Sequence, residues 1–170
     1  MKILVVVDIQ NDFVDGRLGT KEAMKIIPYV KEKIENFDGE VVYTMDTHDE
    51  NYLHTQEGRN LPLKHCIKGT DGWKIKEGVY KENCKIFEKP SFGSVDLVEY
   101  IKSINEKEKI ESVEFIGICT DICVVTNVMM IKGHFPEIEL IVDSKACSGV
   151  SPQSHNSALE TMKMCQVKIV

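Results

Sequence analysis

Two hydrophobic rhythms alternate along the chain. "KILVVVD", Lys2 to Asp8, is a near-continuous apolar run, the pattern of a parallel strand covered on both faces. Ala23, Ile27, Val30, Ile34 and Phe37 then recur at helical spacing, and Pro28 inside that stretch predicts a kink or a restart. "DGE" turns the chain into a second strand, "VVYTMD", which ends at Asp46. From Thr47 to Lys85 neither rhythm persists, which predicts a long loop; loops of that length within a compact domain are usually functional. After "CKIFEKPSFGS" a helix is predicted from Ser94 with Leu97, Val98, Ile101 and Ile104 inward. There follow a strand "SVEFIGI", a helix opening near Thr120 and stopping at Gly133 and Pro136, and a strand "IELIVD". A last helix from Ser151-Pro152 carries Ala158, Leu159 and Met162, and "QVKIV" closes the chain as a strand.

This alternation predicts a three-layer α/β/α fold, a doubly wound and mostly parallel sheet of about six strands, forming one domain over residues 1–170. In such sheets ligands bind beyond the carboxyl ends of the strands. Asp8, Asp46, Cys119 and Asp143 are all predicted to fall at strand ends, so polar and thiol groups from distant sequence converge on one rim.

Charge narrows the partner. A net charge of −6 leaves no basic footprint for nucleic acid or an anionic membrane, so a small molecule is expected. The apolar run Ile3–Val7 is too short for a signal peptide and ends in Asp8, and nothing approaches a membrane span, which places the protein in the cytoplasm. The six cysteines at 66, 84, 119, 123, 147 and 165 are therefore expected as free thiols. "CTDIC" is C-x₃-C, the wrong spacing for a redox or zinc-ribbon pair, which argues against a thiol redox protein.

In "GICTDICVVTNVMM", Thr120 or Asp121 can cap a helix and put Cys123 in its first turn, where the helix dipole favours a thiolate. A small buried apolar cysteine is the plainer reading of the same position. Asp8 could take the thiol proton and Lys89, in "FEKPSFGS", could favour the thiolate; singly, each also reads as a strand-terminal carboxylate and a surface lysine. "MDTHDENYLH" and "LPLKHC" add Asp46 and three of the chain's five histidines, His48, His54 and His65.

Three separated stretches together resemble one family. "VVVDIQNDFVDGRL", "EKPSFGS" and "GICTDICV" are similar, in order, to the D-x-Q-x-D-F, lysine and nucleophile segments of the isochorismatase-like cysteine hydrolases, nicotinamidase/pyrazinamidase type. The resemblance implies a catalytic triad of Asp8, Lys89 and Cys123, in which Cys123 attacks a carboxamide, ammonia departs and water hydrolyses the thioester. It implies a cis peptide at Ile118–Cys119 and an oxyanion site formed by the N–H groups of Cys119 and Cys123. It also implies one divalent metal, zinc first and iron or manganese next, held by Asp46, His48, His54 and His65, with the metal taking the substrate's ring nitrogen. Phe13 matches a pocket-lining position, and Phe92 and Ile122 are further candidates for the pocket wall. The second aromatic expected three residues before the last metal histidine is replaced by Pro62, and Trp73 comes after it. His134 and His155 read as structural. The family commonly self-associates, so a homo-oligomer is expected. A hydrolase for another amide or ureido substrate, and a non-catalytic metal- or ligand-binding protein on the same fold, are the alternatives.

Overall fold

A computed structural model describes residues 1–170. Six parallel strands form one sheet: β1 (Lys2–Val7), β2 (Glu40–Asp46), β3 (Lys85–Lys89), β4 (Ser112–Ile118), β5 (Glu139–Ser148) and β6 (Lys168–Ile169), in the order β3-β2-β1-β4-β5-β6. The helices are α1 (Asn11–Val14), α2 (Lys21–Asn36), α3 (Gln56–Asn60), α4 (Val95–Asn105), α5 (Val125–His134) and α6 (Pro152–Met164). No helix is long and apolar enough to cross a membrane.

The handedness of parallel crossovers sorts the layers. From β1 the chain steps to β2 and β3 on one side, then returns across the sheet to β4, β5 and β6. Right-handed connections that run in opposite directions must use opposite faces. Accordingly α2 packs Ala23, Ile26, Val30 and Ile34 with Leu4 and Val6, whereas α4, α5 and α6 pack Leu97, Ile101, Val128, Ile131 and Met162 with Ile3, Val5 and Val7. Alternate residues of β1 thus serve two cores, which is why its sequence has no polar face. The long segment after β2 completes the α2 layer, contributing Cys66, Val79, Trp73 and Ile75.

Several elements differ from expectation for definable reasons. α2 runs unbroken through Pro28, which faces solvent, and Ile26 rather than Ile27 is the buried residue of that turn. Thr20 caps it, its hydroxyl accepting from Ala23 N at 3.0 Å. β3 had no apolar signature because it is the sheet edge, with Lys85, Ile86 and Glu88 exposed. β5 continues five residues past the predicted "IELIVD", to Ser148, by way of a bulge against β4 between Phe115 and Gly117. Asp143 therefore lies in mid-strand and binds Lys33 at 3.1 Å, away from the strand ends where Asp8 and Asp46 meet. The expected loop also carries a 3₁₀ turn at Tyr52–His54 and the short helix α3.

β1 is the point where strand order reverses, with β2 on one side and β4 on the other. The crevice beyond its carboxyl end is where such a sheet opens for a ligand.

Candidate active site and metal centre

Asp8 is the first residue beyond β1 and adopts φ 49°, a left-handed turn that aspartate tolerates better than most residues. This bends its carboxylate back over the strand ends. Thr44 Oγ1 donates to Asp8 Oδ1 at 2.7 Å, and Asp8 Oδ2 lies 2.6 Å from Lys89 Nζ. Oδ2 has no partner besides this ion pair, so one of its lone pairs stays available for another proton. Lys89 ends β3 directly opposite Asp46 in the ladder, which brings its ammonium within 3.3 Å of Asp46 Oδ1 and 3.5 Å of Cys123 Sγ. A further bond to Ser91 O at 3.0 Å uses up the ammonium's donors.

Cys123 arrives from β4. Gly117 (φ 130°) has no room for a side chain, since a Cβ there would sit 2.1 Å from Val7 O. This lets β4 and β1 run close together just before the loop. The Ile118–Cys119 peptide is cis. Thr120–Val124 then form a π turn in which Cys119 O accepts from Val124 N at 3.0 Å, and α5 continues from it. Neither Thr120 nor Asp121 caps this turn: Thr120 Oγ1 pairs with His155 Nδ1 at 2.8 Å, and the Asp121 carboxylate accepts from Val150 N at 3.1 Å. Asn127 braces the turn, donating to Cys123 O at 2.7 Å and to Phe92 O at 3.1 Å while accepting from Ser94 N at 2.9 Å.

The electrostatics follow from burial. Asp8, Lys89 and Cys123 are all 5 % exposed or less. Burial lifts the Asp8 carboxyl above the ordinary carboxylate range despite Lys89. Burial and then the Asp8 charge raise the Cys123 thiol well above its usual value, so desolvation overrides the helix-start effect expected from the sequence. Lys89 goes the other way: burial would lower it, but Asp8, Cys123 and Asp46 together hold it protonated, well above the normal lysine range. The resting site is a thiol beside a carboxylate–ammonium pair. Replacing Lys89 with methionine is expected to destabilise the fold by about 3–5 kcal/mol, because two buried carboxylates lose their shared counter-ion. Urea unfolding would measure this, and a loss below about 1 kcal/mol would contradict the arrangement.

A second cluster adjoins the first. Ligand-type atoms of Asp46, His48, Glu57 and His65 lie within 4.8 Å of one another. Asp46 Oδ2 is 2.9 Å from His48 Nε2 and 3.4 Å from His65 Nε2, and Glu57 Oε1 is 3.6 Å from each. The His65 Nδ1–H donates to Leu63 O at 2.8 Å, which turns the other nitrogen's lone pair toward the cluster. His48 Nε2 is buried with no hydrogen-bond partner. Burial favours the protonated form of Asp46, but His48, His65 and Lys89 outweigh it and hold the carboxylate ionised. Two imidazole nitrogens and two carboxylates facing one point, one of the nitrogens orphaned, fit a divalent cation. The structure thus groups Asp46, His48 and His65 as expected but not His54, whose side chain is exposed; Glu57, on α3 three residues later, takes the fourth place.

The sequence motif after β1 builds both clusters. Gln10, fully buried, donates to Asp46 O and Trp73 O at 2.8 Å and accepts from Asp46 N at 2.7 Å. Asp12 Oδ2 accepts from Cys66 N at 2.8 Å, next to His65. His48 N and O in turn pair with Cys66 O and Lys68 N, so the returning loop is hydrogen-bonded to the end of β2. Gln10, Asp12, Asn127 and Glu57 were not singled out from sequence. Glutamine and aspartate in D-x-Q-x-D were visible there, but their partners lie 36 and 54 residues away.

Between the two clusters opens a cavity of about 310 Å³ lined by Phe13, Phe92, Ile122, Cys119, Cys123, Asp46, Glu57 and His65, together with Leu18, Leu61 and Val150. Neither Pro62 nor Trp73 contributes to its walls. Trp73 packs in the α2 layer and donates to Thr47 Oγ1 at 2.9 Å, and Lys64 turns outward to Glu50 at 2.6 Å.

Comparison with known proteins agrees with this architecture. Residues 2–170 match the sequence model of the isochorismatase domain. The nicotinamidase of Schizosaccharomyces pombe is 25 % identical, with 98 % of this chain and 91 % of that protein aligned. For the nicotinamidase/pyrazinamidase of Mycobacterium tuberculosis the identity is 26 %, over 100 % of this chain and 98 % of the relative. The crystal structure of the Pyrococcus horikoshii pyrazinamidase in complex with zinc superposes with a TM-score of 0.85 at 28 % identity, covering 99 % of this chain and 98 % of that one. With a match along nearly its whole length and the sheet, crevice and polar rim described above, the chain belongs to the isochorismatase family.

Proposed function

We propose that this chain is a cysteine amidohydrolase that converts nicotinamide, or a closely related heteroaromatic amide, to the acid and ammonia. It is a hydrolase of carboxamide C–N bonds, as its nicotinamidase and pyrazinamidase relatives are named for. The observation that carries the reading is Lys89 Nζ, 2.6 Å from Asp8 Oδ2 and 3.5 Å from Cys123 Sγ, with Cys123 itself lining a small, mainly apolar cavity.

The residues then act in sequence. Asp8 takes the Cys123 proton as the sulfur attacks the carboxamide carbon; both groups are raised by burial, so the carboxylate is a stronger base than usual for a thiol to meet. Lys89 balances the thiolate that forms. The N–H groups of Cys119 and Cys123 receive the oxyanion. Asp8 returns the proton to the leaving nitrogen, ammonia departs, and a thioester remains on Cys123. Asp8 next deprotonates water, which attacks the thioester and releases the acid and the free thiol. Phe13 and Phe92 hold the ring, with Ile122 completing the wall. Asp46, His48, Glu57 and His65 would hold the metal, zinc by preference, which when bound supplies a Lewis-acid anchor for a ring nitrogen.

The alternative of a ureido acid substrate is disfavoured by charge. The cavity wall carries Asp46 and Glu57 and neither lysine nor arginine, so a substrate carboxylate would meet two carboxylates and could be balanced there only by displacing the ring nitrogen from the metal they would hold. Ammonia release from nicotinamide, pyrazinamide, benzamide and an N-carbamoyl amino acid tests this. Nicotinamide is expected to exceed benzamide, which lacks the ring nitrogen, and the ureido acid by more than about 10²-fold in kcat/KM. Faster turnover of the ureido acid would reject the substrate assignment.

A further inference from the structure

The four metal-ligating candidates come from three places: Asp46 and His48 from the end of β2, Glu57 from the five-residue helix α3, and His65 from the loop beyond it. A helix of that length does not hold itself together, and an imidazole can rotate about its side-chain bonds. Something must fix both, and Tyr52 touches the two imidazoles and the start of the helix.

Tyr52 is fully buried. Its ring centroid lies 4.7 Å from that of His48 at 54° and 5.0 Å from that of His65 at 75°, while the two imidazoles are 5.0 Å apart at 79°. The three rings form a triangle of tilted and edge-on contacts, each limiting the rotation of the other two. The hydroxyl plays no part in the cluster: it donates to Leu61 O at 2.9 Å, closing the segment that contains α3. The main chain of Tyr52 engages α3 as well. Its carbonyl accepts from Thr55 Oγ1 at 2.7 Å, and that hydroxyl caps α3 by accepting from Gly58 N at 3.0 Å. Gly58 packs so closely that a Cβ would lie 2.0 Å from Tyr52 O.

We infer that Tyr52 is a positioning residue of the metal centre: its ring sets the orientation of His48 and His65, and its backbone sets the helix that presents Glu57. The inference rests on the metal reading above and assigns to one residue, with no ligand atom of its own, the preorganisation of three of the four ligands. A plain core tyrosine would affect stability alone. A positioning residue changes metal affinity beyond any change in the metal-free fold, because misdirected ligands must reorient on binding.

The test uses the full chain stripped with a chelator, then titrated with Zn²⁺ against a chromophoric competitor and with Co²⁺ for its visible spectrum. Melting of the metal-free proteins runs alongside. Tyr52→Phe keeps the ring and is expected to bind Zn²⁺ within about threefold of wild type. Tyr52→Leu is expected to weaken Zn²⁺ roughly 10–100-fold and to alter the Co²⁺ bands. Should the leucine variant fail to fold, Tyr52→Met, whose longer and more flexible side chain adapts to the space, takes its place under the same criterion. Zn²⁺ affinity within twofold of wild type for the leucine or methionine variant overturns the role of Tyr52 while leaving the metal site standing. Equal losses in the phenylalanine and leucine variants would also overturn it, by moving the effect to the Leu61 bond. A wild-type protein that binds neither ion overturns the metal reading and this inference together.

Discussion

Replacing Cys123 with alanine is expected to reduce amide hydrolysis by roughly 10⁴–10⁶-fold, the scale on which loss of a covalent nucleophile acts. The reasoning is geometric. Cys119 lines the same cavity, but Lys89 contacts the sulfur of Cys123, at 3.5 Å, and Asp8 lies within hydrogen-bond reach of that same thiol. No other thiol is placed to inherit the role: Cys66 and Cys147 are buried in the two cores. The fold and the metal cluster should survive, since alanine fits inside the space the thiol occupied and Asn127 holds the turn through the backbone carbonyl of residue 123. Steady-state ammonia release measures the loss, and intact-protein mass after rapid quenching should show an acyl adduct on the wild type alone. Residual turnover above about one per cent, with the variant folded, would mean that the carbonyl is attacked by something other than this sulfur.

The second large effect separates two neighbouring residues. Glu57→Ala is expected to weaken divalent-metal binding by more than about 100-fold, beyond the loss typical of outer-shell partners, because a ligand itself is removed. His54→Ala is expected to change it by less than about threefold. His54 is exposed, and its backbone alone is engaged, N–H to Asn51 O at 2.8 Å and carbonyl to Arg59 Nη1 at 2.6 Å. Competition with a chelator measures both. The opposite ranking would restore the set of Asp46, His48, His54 and His65 that the resemblance implies and would require the Tyr52–Asn60 segment to rearrange on metal binding.

That pair of residues also marks where sequence reading stops. β1 was legible because burial on both faces leaves a near-continuous apolar run, and β4 because Val113, Phe115, Ile116 and Ile118 keep most of such a run despite Glu114. β3 was not, since an edge strand needs no such run, and yet it delivers Lys89 opposite Asp46. Resemblance could point to His54 because a motif records residue type and order; it cannot record that Thr55 caps a short helix that swings Glu57 inward and leaves His54 outside. The signal was present as a hydroxyl three residues ahead of Gly58, too common to read without the fold. The expected acidity of Cys123 failed for a related reason. Position at the start of a helix is visible in sequence, but near-complete burial beside two carboxylates is a property of the assembled rim.

Asp46 offers one oxygen to the imidazoles and the other to Lys89. The two halves of the site are therefore not modular. Any change that disposes of the cation by altering this one carboxylate also unbalances the charge on the lysine that serves the sulfur. A variant meant to lose the proposed metal site while keeping the proposed thiol chemistry would have to begin from His48, Glu57 or His65 and leave Asp46 in place.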